Sequence, residues 1–182
     1  MSKIQSVVKG LEKRLLFFLK KTHLINERNF TNRYIRLLRK MGVDIADYDI
    51  DSFIAETVYL DSYDRHRIHI GKNVYLTNDV IILVHDQSAV TVYNSQHVGN
   101  ENKGTLYAPG DVHIGNNVFI GMRSVILPGA VIGDNVVIGA GSIVKGRIPS
   151  GTVWAGVPAK QICTIDQQYV RLSARGVFDG QK

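Results

Sequence analysis

The sequence predicts an all-β body, built as a parallel β-helix, that follows an α-helical segment at the N-terminus. The first observation is a repeat, because aliphatic residues recur at every sixth position in the second half of the 182-residue chain. The second is glycine, since 9 of the 17 glycines lie between positions 115 and 156 and only Gly10 and Gly42 precede Gly71. The third is charge, because residues 1–42 carry 11 Lys and Arg side chains against 2 Asp and Glu. Together they divide the chain into a basic head and a glycine-rich body.

Residues 1–50 form the basic head, for which the sequence predicts two α-helices. Helical spacing connects a series of apolar residues with lysines between them: Ile4, Val7, Val8, Leu11, Leu15, Phe18 and Leu19. A second helix is predicted over residues 26–41, with Gly42 as its stop and one apolar face made of Phe30, Tyr34, Leu38 and Met41. We expect these helices to pack on the body or on a neighbouring subunit. A weak contact of the first helix with an anionic membrane surface is the alternative.

Three compositional features set the expected compartment and exclude one class of partner. The longest apolar run near the start, residues 15–19, is shorter than the roughly 7–15 residues of a signal-peptide core and the about 20 of a membrane span. The single cysteine, Cys163, excludes an internal disulfide framework and fits a reducing compartment, so the expected location is cytoplasmic. Residues 43–182 carry 11 basic and 14 acidic side chains, a net charge of −3, and no nucleic-acid partner is expected.

The repeat predicts a β-helix over residues 51–162, followed by a C-terminal tail at residues 163–182. Counted from Ile114, an aliphatic residue recurs every six positions: Ile114, Ile120, Ile126, Ile132, Ile138 and Val144. A period of six matches neither a helix (about 3.6) nor a simple strand (about 2), but it matches one short strand plus one corner, with the aliphatic residue pointing inward. Three such units make a triangular coil of 18 residues, and successive coils stack at about 4.8 Å.

The repeat is interrupted before Ile114. The interval from Ile70 to Ile114 is 44 residues, and removing 20 residues restores a multiple of six. The stretch that fits is residues 88–107, which is polar, contains no repeat and directly follows His85, Asp86 and Gln87. We therefore expect a flexible protruding loop there, and a long loop on a regular scaffold is commonly functional.

Residues 114–160 carry a recognisable pattern, IGNNVFIGMRSVILPGAVIGDNVVIGAGSIV followed after three residues by IPSGTVWAGVPAK. This pattern resembles the hexapeptide-repeat acyltransferases, and among them the sugar and polysaccharide O-acetyltransferases. The resemblance implies left-handed coils, an acetyl-CoA donor and transfer to a sugar hydroxyl in the synthesis of a surface polysaccharide. The triangular prism with its long loop also favours a homotrimer with sites between subunits, because one prism offers only a ledge where two prisms make a cleft.

His85 is the predicted catalytic residue. Acyl transfer from a thioester to a hydroxyl needs a base near neutral pH, and imidazole suits that role. In the family that the sequence resembles, a histidine at the end of a coil beside the protruding loop is this base, and His85 stands in the matching place. Asp86, His97 and His113 are the candidates for contact with the acceptor or for orienting His85. For Asp86, a solvated corner residue is the better interpretation, because adjacent residues of a strand point to opposite faces.

The resemblance also implies where acetyl-CoA binds. The pantetheine arm is expected along the last coils, near Met122 and Ala140. Lys145 and Lys160 are candidates for its phosphates, and Trp154 for a contact with its adenine. The alternative for the two lysines is plain solvation, and for Trp154 it is a hydrophobic cap on the open end of the β-helix.

Three other functions are left open. A serine acetyltransferase-like enzyme would share the fold and the donor. A gamma-class carbonic anhydrase would share the fold but needs three histidines on zinc, and its paired histidines five residues apart are missing here, so no metal site is expected. A β-helix without catalysis would serve as an assembly scaffold. The long loop with a histidine at its base argues against this function.

Overall fold

Two helices, α1 (Lys3–Lys21) and α2 (Glu27–Lys40), open the chain. The computed structural model describes residues 3–46, 52–100, 104 and 106–180, and of residues 3–8 the backbone alone. The side chain of Asn26 caps α2 by accepting the N–H of Asn29 at 2.8 Å. Arg39 and Lys40 stand in the last turn of α2, where cations complement the helix dipole. Both predicted helices are confirmed.

An aromatic group joins these helices to the body of the same chain. The rings of Phe30 and Tyr34, both on α2, stack on each other. Phe17 of α1 contacts them edge-on at centroid distances of 5.5 Å and 5.7 Å, respectively. Phe30 and Tyr34 belong to the same buried cluster as the strand residues Ile45 and Ile54. The interpretation that the head packs on its own body is therefore confirmed for α2. Among the helices that the structure describes, none has both the length and the apolar character to cross a bilayer.

Short strands make up the body. In chain order they are β1 (Asp44–Ile45), β2 (Phe53–Ile54), β3 (Tyr59–Leu60), β4 (Ile68–Ile70), β5 (Val74–Leu76), β6 (Ile81–Ile82), β7 (His85–Asp86), β8 (Ala108–Pro109), β9 (Val112–Ile114), β10 (Val118–Ile120), β11 (Val125–Ile126), β12 (Val131–Ile132), β13 (Val136–Ile138), β14 (Ile143–Val144), β15 (Arg147–Ile148), β16 (Thr152–Gly156) and β17 (Ala159–Thr164). A single turn of 3₁₀-helix, Arg65–Arg67, precedes β4. Two further helices are α3 (Ala89–Gln96) and α4 (Ile165–Ser173).

Three sheets form the sides of the prism. The first runs β1-β4-β9-β12-β15, the second β17-β16-β13-β10-β5-β2, and the third β14-β11-β6-β3. Neighbouring strands are parallel except for the β16–β17 pair, so each coil hydrogen-bonds to the next. The strand β1 extends the first sheet, although residues 44 and 45 lie inside the segment for which only helices were predicted.

The predicted period of six is confirmed by the core. In register, Ile114 pairs with Ile132, Ile120 with Ile138 and Ile126 with Val144. Each pair is one full coil apart, that is, three hexapeptides. All of these side chains are buried. Burial of an aliphatic side chain of this size contributes roughly 1.5–3 kcal/mol relative to its exposure, so each rung of the ladder stabilises the coil that carries it.

Asparagines form a second ladder at the corner between the first and second sheets. Asn73, Asn117 and Asn135 have φ values of 53°, 54° and 54°, the left-handed conformation that asparagine tolerates. The amide nitrogen of Asn73 donates to the Oδ1 of Asn117 at 2.8 Å, and that of Asn117 to the Oδ1 of Asn135 at 2.7 Å. At the next corner the coils approach so closely that a Cβ on Gly121 would lie 2.4 Å from the backbone nitrogen of Ala140.

The protruding segment is longer than predicted and partly helical. Ile70 pairs with Ile114 on the next coil. The 44 residues between them are more than twice the 18 residues that separate the next such pair, Ile114 and Ile132. The chain therefore exceeds one coil by 26 residues, six more than the 20-residue insert predicted at residues 88–107. The prediction fell short because counting in sixes cannot distinguish two lengths that differ by six. The chain leaves the coil after Val84 and returns at Gly110, whose N–H donates to the Val84 carbonyl at 2.9 Å. We call residues 85–109 the excursion.

The excursion has a stem and a helix. Its stem is the antiparallel pair β7–β8, and α3 stands where the sequence predicted a flexible loop at residues 88–107. The Asp86 carboxylate accepts the N–H of Ser88 at 2.8 Å and so fixes the turn into α3. Residues 101–103 and 105 lie outside the described part of the chain.

The C-terminal end closes the β-helix with a hairpin and a helix. Strands β16 and β17 pair antiparallel, with Val153 opposite Cys163, so the predicted boundary between residues 162 and 163 falls inside a strand. The helix α4 begins with a capping box in which Thr164 and Gln167 satisfy each other's backbone N–H groups.

Candidate active site

A buried aspartate holds His85 where the excursion leaves the β-helix. The Nδ1 of His85 lies 2.6 Å from the Oδ2 of Asp61, which directly follows β3 in the preceding coil. The Asp61 side chain is 2% exposed, whereas that of His85 is 28% exposed. The pair therefore consists of an enclosed carboxylate and an imidazole that reaches solvent.

Backbone groups keep Asp61 ionised in spite of its burial. Its Oδ1 accepts the N–H of Tyr63 at 3.0 Å, and its Oδ2 accepts the N–H of Val84 at 3.1 Å. Burial alone would raise the pKa of Asp61, but these two N–H groups and His85 outweigh burial and lower the pKa below its usual value. Asp61 is therefore a carboxylate throughout the neutral pH range.

The ionised carboxylate fixes the tautomer of His85. A carboxylate only accepts hydrogen bonds, so the proton of the neutral imidazole resides on Nδ1 and points at Asp61. The lone pair is then on Nε2, the ring nitrogen that does not face Asp61. Such a histidine is oriented to take a proton from a hydroxyl, and the imidazolium that results is stabilised by the carboxylate beside it.

Two tyrosines frame the imidazole. The ring of Tyr63 lies 4.7 Å from the His85 ring at an angle of 34°, and that of Tyr107 lies 6.3 Å away at 86°. The two tyrosine rings meet edge-on at 4.4 Å, and a hydrogen bond with Tyr107 raises the pKa of Tyr63. Tyr63 follows Asp61 by two residues, and Tyr107 comes from the returning end of the excursion. Both tyrosine side chains are exposed.

A cleft of about 480 Å³ opens beside His85. Its walls are formed by residues that follow the strands of the third sheet in three successive coils and by the stem of the excursion. The lining residues are Leu83, His85, Asp86, Ala108, Pro109, Gly110, Leu127, Pro128, Gly129 and Lys145. The structure thus brings Lys145 into the same cleft as His85, although the two are far apart in the sequence. Lys145 stands two coils along from Leu83, a distance of roughly 10 Å at the usual strand spacing.

The other candidates for the acceptor side have contacts of their own. Asp86 lines the cleft but is exposed, and hydrogen bonds from the N–H and hydroxyl of Ser88 lower its pKa. His97 ends α3, where its ring stacks on Tyr93 at 3.8 Å and its Nδ1 is 2.8 Å from the Tyr93 carbonyl oxygen. The ring of His113 stacks on His69 at 4.3 Å on the first sheet. Asp61, rather than any of these three, orients His85.

The remaining candidates for the donor side lie along the later coils. Met122 and Ala140 stand at one corner in successive coils, where the Met122 carbonyl accepts the N–H of Gly141 at 2.8 Å. Lys160 is exposed on β17. Trp154 packs on the buried core, and its indole N–H donates to Thr152 at 3.0 Å, which agrees with the hydrophobic-cap interpretation.

Comparison with known proteins identifies the family. The family model described as bacterial transferase hexapeptide (six repeats) matches residues 111–146. Over 146 residues the chain is 36% identical to the galactoside O-acetyltransferase of Escherichia coli, covering 72% of this chain and 68% of that one. The chain belongs to the hexapeptide-repeat acyltransferases. As a member of this family it is an enzyme, and its β-helix is left-handed, as the resemblance implied.

Two further similarities agree with this family. The putative lipopolysaccharide biosynthesis O-acetyl transferase WbbJ of E. coli is 32% identical over 136 residues, which cover 74% of this chain and 68% of that one. The crystal structure of a maltose O-acetyltransferase from Clostridium difficile superposes with a TM-score of 0.58 at 26% identity, covering 90% of this chain and 89% of that one. The scaffold and carbonic anhydrase alternatives receive no support from these hexapeptide-repeat acyltransferases.

Sequence reasoning did not find Asp61, Tyr63 or Tyr107. Asp61 lies more than one coil before His85, and no motif spans that interval. A weak signal was present, because Ile54 and Leu60 are also six residues apart and Asp61 directly follows the second of them. The ten residues from Leu60 to Ile70 are not a multiple of six, so this signal marked the end of a strand but did not show that Asp61 shares a corner with His85.

Replacing Asp61 by asparagine should leave the fold intact and slow turnover by about 10²–10⁴-fold. The amide can donate to Nδ1, which favours the tautomer with its proton on Nε2 and removes the lone pair that accepts the hydroxyl proton. The measurement is kcat and KM for the acyl donor together with a melting curve, and we expect kcat to fall with little change in KM.

The matched control is Asp79→Asn, an exposed corner aspartate that faces Arg123 at 3.8 Å. Its turnover should stay within a factor of two or so of the unaltered enzyme. Near-normal turnover of Asp61→Asn, or an equal loss in the control, would contradict the positioning role of Asp61.

Proposed function

We propose that the protein transfers an acetyl group from acetyl-CoA to a hydroxyl of a sugar, in the assembly of a surface polysaccharide. The observation that carries the proposal is the Asp61–His85 pair, whose partly exposed imidazole lines a cleft of about 480 Å³. The names of the relatives support the sugar acceptor, since the galactoside and maltose enzymes are both O-acetyltransferases. The name of WbbJ supports the polysaccharide. The use of acetyl-CoA and the single cysteine agree with a cytoplasmic location.

The reaction is a direct transfer in which His85 moves one proton. Its Nε2 takes the proton of the acceptor hydroxyl while the oxygen attacks the thioester carbonyl, forming the new C–O bond. Asp61 stabilises the imidazolium during this step. The tetrahedral intermediate then breaks its C–S bond, and His85 returns the proton to the departing sulfur. The products are the O-acetyl sugar and free coenzyme A, and His85 ends neutral.

Donor and acceptor are assigned to different walls of the site. Lys145 is the described cation that shares the cleft with His85, so we assign it to acetyl-CoA, with the arm continuing toward Met122 and Ala140 and the far end toward Lys160. The acceptor is assigned to Tyr63 and Tyr107, because aromatic faces pack well on the C–H surface of a sugar ring and their hydroxyls bond to its polar groups. Asp86, His97 and His113 are less suited to the acceptor, since each has a partner elsewhere.

A homotrimer is the proposed assembly, and an exposed aromatic stripe supports it. Phe53, Tyr75 and Phe119 occupy successive rungs on the outer face of the second sheet, and they are 37%, 40% and 41% exposed. Large apolar side chains in a contiguous row on a flat face favour contact with another protein surface. Closure about a three-fold axis parallel to the prism would cover such a face and bring a neighbour's excursion to the His85 cleft.

An anionic membrane surface is the proposed partner of α1. Leu11, Leu15 and Phe18 lie on one stripe of this helix and are each 59% exposed, although they are among its most apolar residues. Exposed Arg14 and Lys21 flank the stripe, and residues 1–42 carry 11 basic against 2 acidic side chains. This charge opposes self-association of the head and favours anionic lipid, where the apolar stripe can insert.

The function is tested by release of free thiol from acetyl-CoA in the presence of candidate acceptors. The acceptors are galactosides, maltose, nucleotide-linked sugars and free serine. We expect a sugar to stimulate release, with His85→Ala reducing turnover by about 10²–10⁴-fold because the base is lost. His23→Asn, a change of an exposed histidine with a φ of 56° in the loop after α1, is the control and should keep its turnover. Preference for serine would favour the serine acetyltransferase-like alternative, and no stimulated release by any acceptor would overturn the proposal.

A site shared between subunits predicts complementation. Chains with His85→Ala and chains in which residues 88–104 are replaced by a short turn should each be inactive. When equal amounts are mixed and reassembled, each His85 has about a one-in-two chance of being intact and an equal chance of facing an intact excursion. About a quarter of the sites should therefore regain activity. Mixtures that stay inactive, or an active monomer in sedimentation, would contradict the shared site.

Binding of α1 to lipid is measured by flotation with vesicles. The protein should float with vesicles of phosphatidylcholine containing phosphatidylglycerol and remain in solution with phosphatidylcholine alone, because both the charge and the stripe are needed. The double substitution Leu15→Glu and Phe18→Glu should abolish flotation. Val177→Glu, at a comparably exposed apolar residue in the C-terminal end, should not. Loss of the trimer rather than of flotation in the double variant would show that the stripe contacts another copy of the chain.

A further inference from the structure

Three polar residues stand side by side on the outer face of the first sheet. The parallel register pairs Asp44 of β1 with His69 of β4, and His69 with His113 of β9. In-register residues of parallel strands point to the same side at about the strand spacing of 4.8 Å, so these form one row. Asp111 lies two positions before His113 and so emerges on the same side. No step of the proposed acyl transfer uses any of them.

The side chains of this row converge. The two imidazole rings are parallel within 5° at a centroid distance of 4.3 Å. The Nδ1 of His69 lies 2.9 Å from the Asp44 Oδ2, and its Nε2 lies 3.9 Å from the Asp111 Oδ2. One nitrogen from each histidine and one oxygen from Asp111 all lie within 4.8 Å of one another. These three donor atoms therefore form one cluster on the outer side of the first sheet.

Asp44 prepares His69 to bind a cation. As a carboxylate it accepts the Nδ1 proton, which leaves the lone pair on the Nε2 that faces Asp111. A carboxylate on the far nitrogen of a histidine is the usual outer partner of a histidine that ligates a metal. The same contact that fixes the His69 ring therefore gives it the tautomer that a metal requires.

The charge around the row also suits a divalent cation. Arg67 pairs with one oxygen of Asp111 and leaves the other oxygen toward His69. Asp64 lies 3.4 Å from the Arg67 Nε, so its carboxylate is close as well. Three carboxylates, of Asp44, Asp64 and Asp111, against the single guanidinium of Arg67 give these four side chains a net charge of −2, which favours a cation.

We propose that His69, His113 and Asp111 bind a zinc-class divalent transition metal, with Asp44 as the outer partner of His69. Two imidazoles and a carboxylate are a ligand set for such ions, and an open fourth position would hold water. In tetrahedral coordination, metal–ligand distances of about 2.0–2.2 Å place the ligand atoms about 3.3–3.5 Å apart. The most widely separated donors need to close by up to about 1.5 Å, which rotation of the partly exposed side chains about their χ angles supplies. Sequence spacing gave no sign of this site, because more than two coils of chain separate the two histidines.

This site is separate from the acyl-transfer cleft. The groove that contains Asp44, His69 and His113 shares no lining residue with the cleft that contains His85. A metal here is therefore expected to bind whether or not transfer occurs, and transfer is expected to proceed after the metal is removed.

The test titrates the metal-free full-length protein with Co²⁺ and follows visible absorption, then displaces Co²⁺ with Zn²⁺. One ion per chain should bind with a tetrahedral or five-coordinate spectrum. His69→Ala and His113→Ala should each weaken binding by at least about 100-fold, and Asp44→Asn by about 10–100-fold because it is an outer partner. Zn²⁺ should raise the melting temperature of the unaltered protein and not of these variants.

Two controls locate the ion. His66→Ala changes an exposed histidine near the row, and His85→Ala changes the histidine of the cleft; both should retain Co²⁺ with little change. Loss of binding in His85→Ala would place the ion at the catalytic pair and overturn the proposal. Absence of binding below millimolar Co²⁺, or binding that His69→Ala and His113→Ala leave unchanged, would overturn it as well.

Discussion

The constraint on which the structure depends is the burial of one aliphatic side chain at every sixth residue. Because each coil must place its inward residues over those of the previous coil, the register of the strands is fixed for the whole body, as the rung Ile70–Ile114–Ile132 illustrates. Slipping one coil by a single residue would turn its isoleucines outward and expose them to water. The same constraint brings residues that are far apart in the sequence together on adjacent rungs of the exterior.

The candidate active site forms where this period is broken. From Leu60 on β3 to its partner Ile82 on β6, the chain is four residues longer than a regular coil. From Ile82 to its partner Ile126 on β11, the chain is 44 residues long and exceeds a coil of 18 by 26 residues, nearly all of them in the excursion. Both interruptions leave the coil at the end of the third sheet, where the first supplies Asp61 and Tyr63 and the second supplies His85 and Tyr107. Two insertions stacked on one another therefore bring these four side chains together on a rigid base.

This origin explains what could be predicted from the sequence. The repeat identified the fold and the inward residues, because the period of six is a property of single positions. It could not give the length of the excursion, since two lengths that differ by one hexapeptide leave the same remainder when counted in sixes. It also could not pair Asp61 with His85 or His69 with His113, because the pairing depends on how many residues each insertion adds before the coil resumes. His85 itself was predictable only as the residue beside the longer insertion.

The ionised state of Asp61 shows where the chain departs from what stability alone would favour. Removing a carboxylate from water is costly, and replacing a buried ion pair by apolar residues is often neutral or stabilising. Here the cost is offset by two backbone N–H groups that the corner aims at the carboxylate, from Tyr63 and Val84. Those N–H groups lower the pKa of Asp61, so the charge persists beside His85 and its tautomer is set before any substrate arrives. The corner thus sets the charge of Asp61 through its backbone, which is why no pattern of side chains in the sequence revealed it.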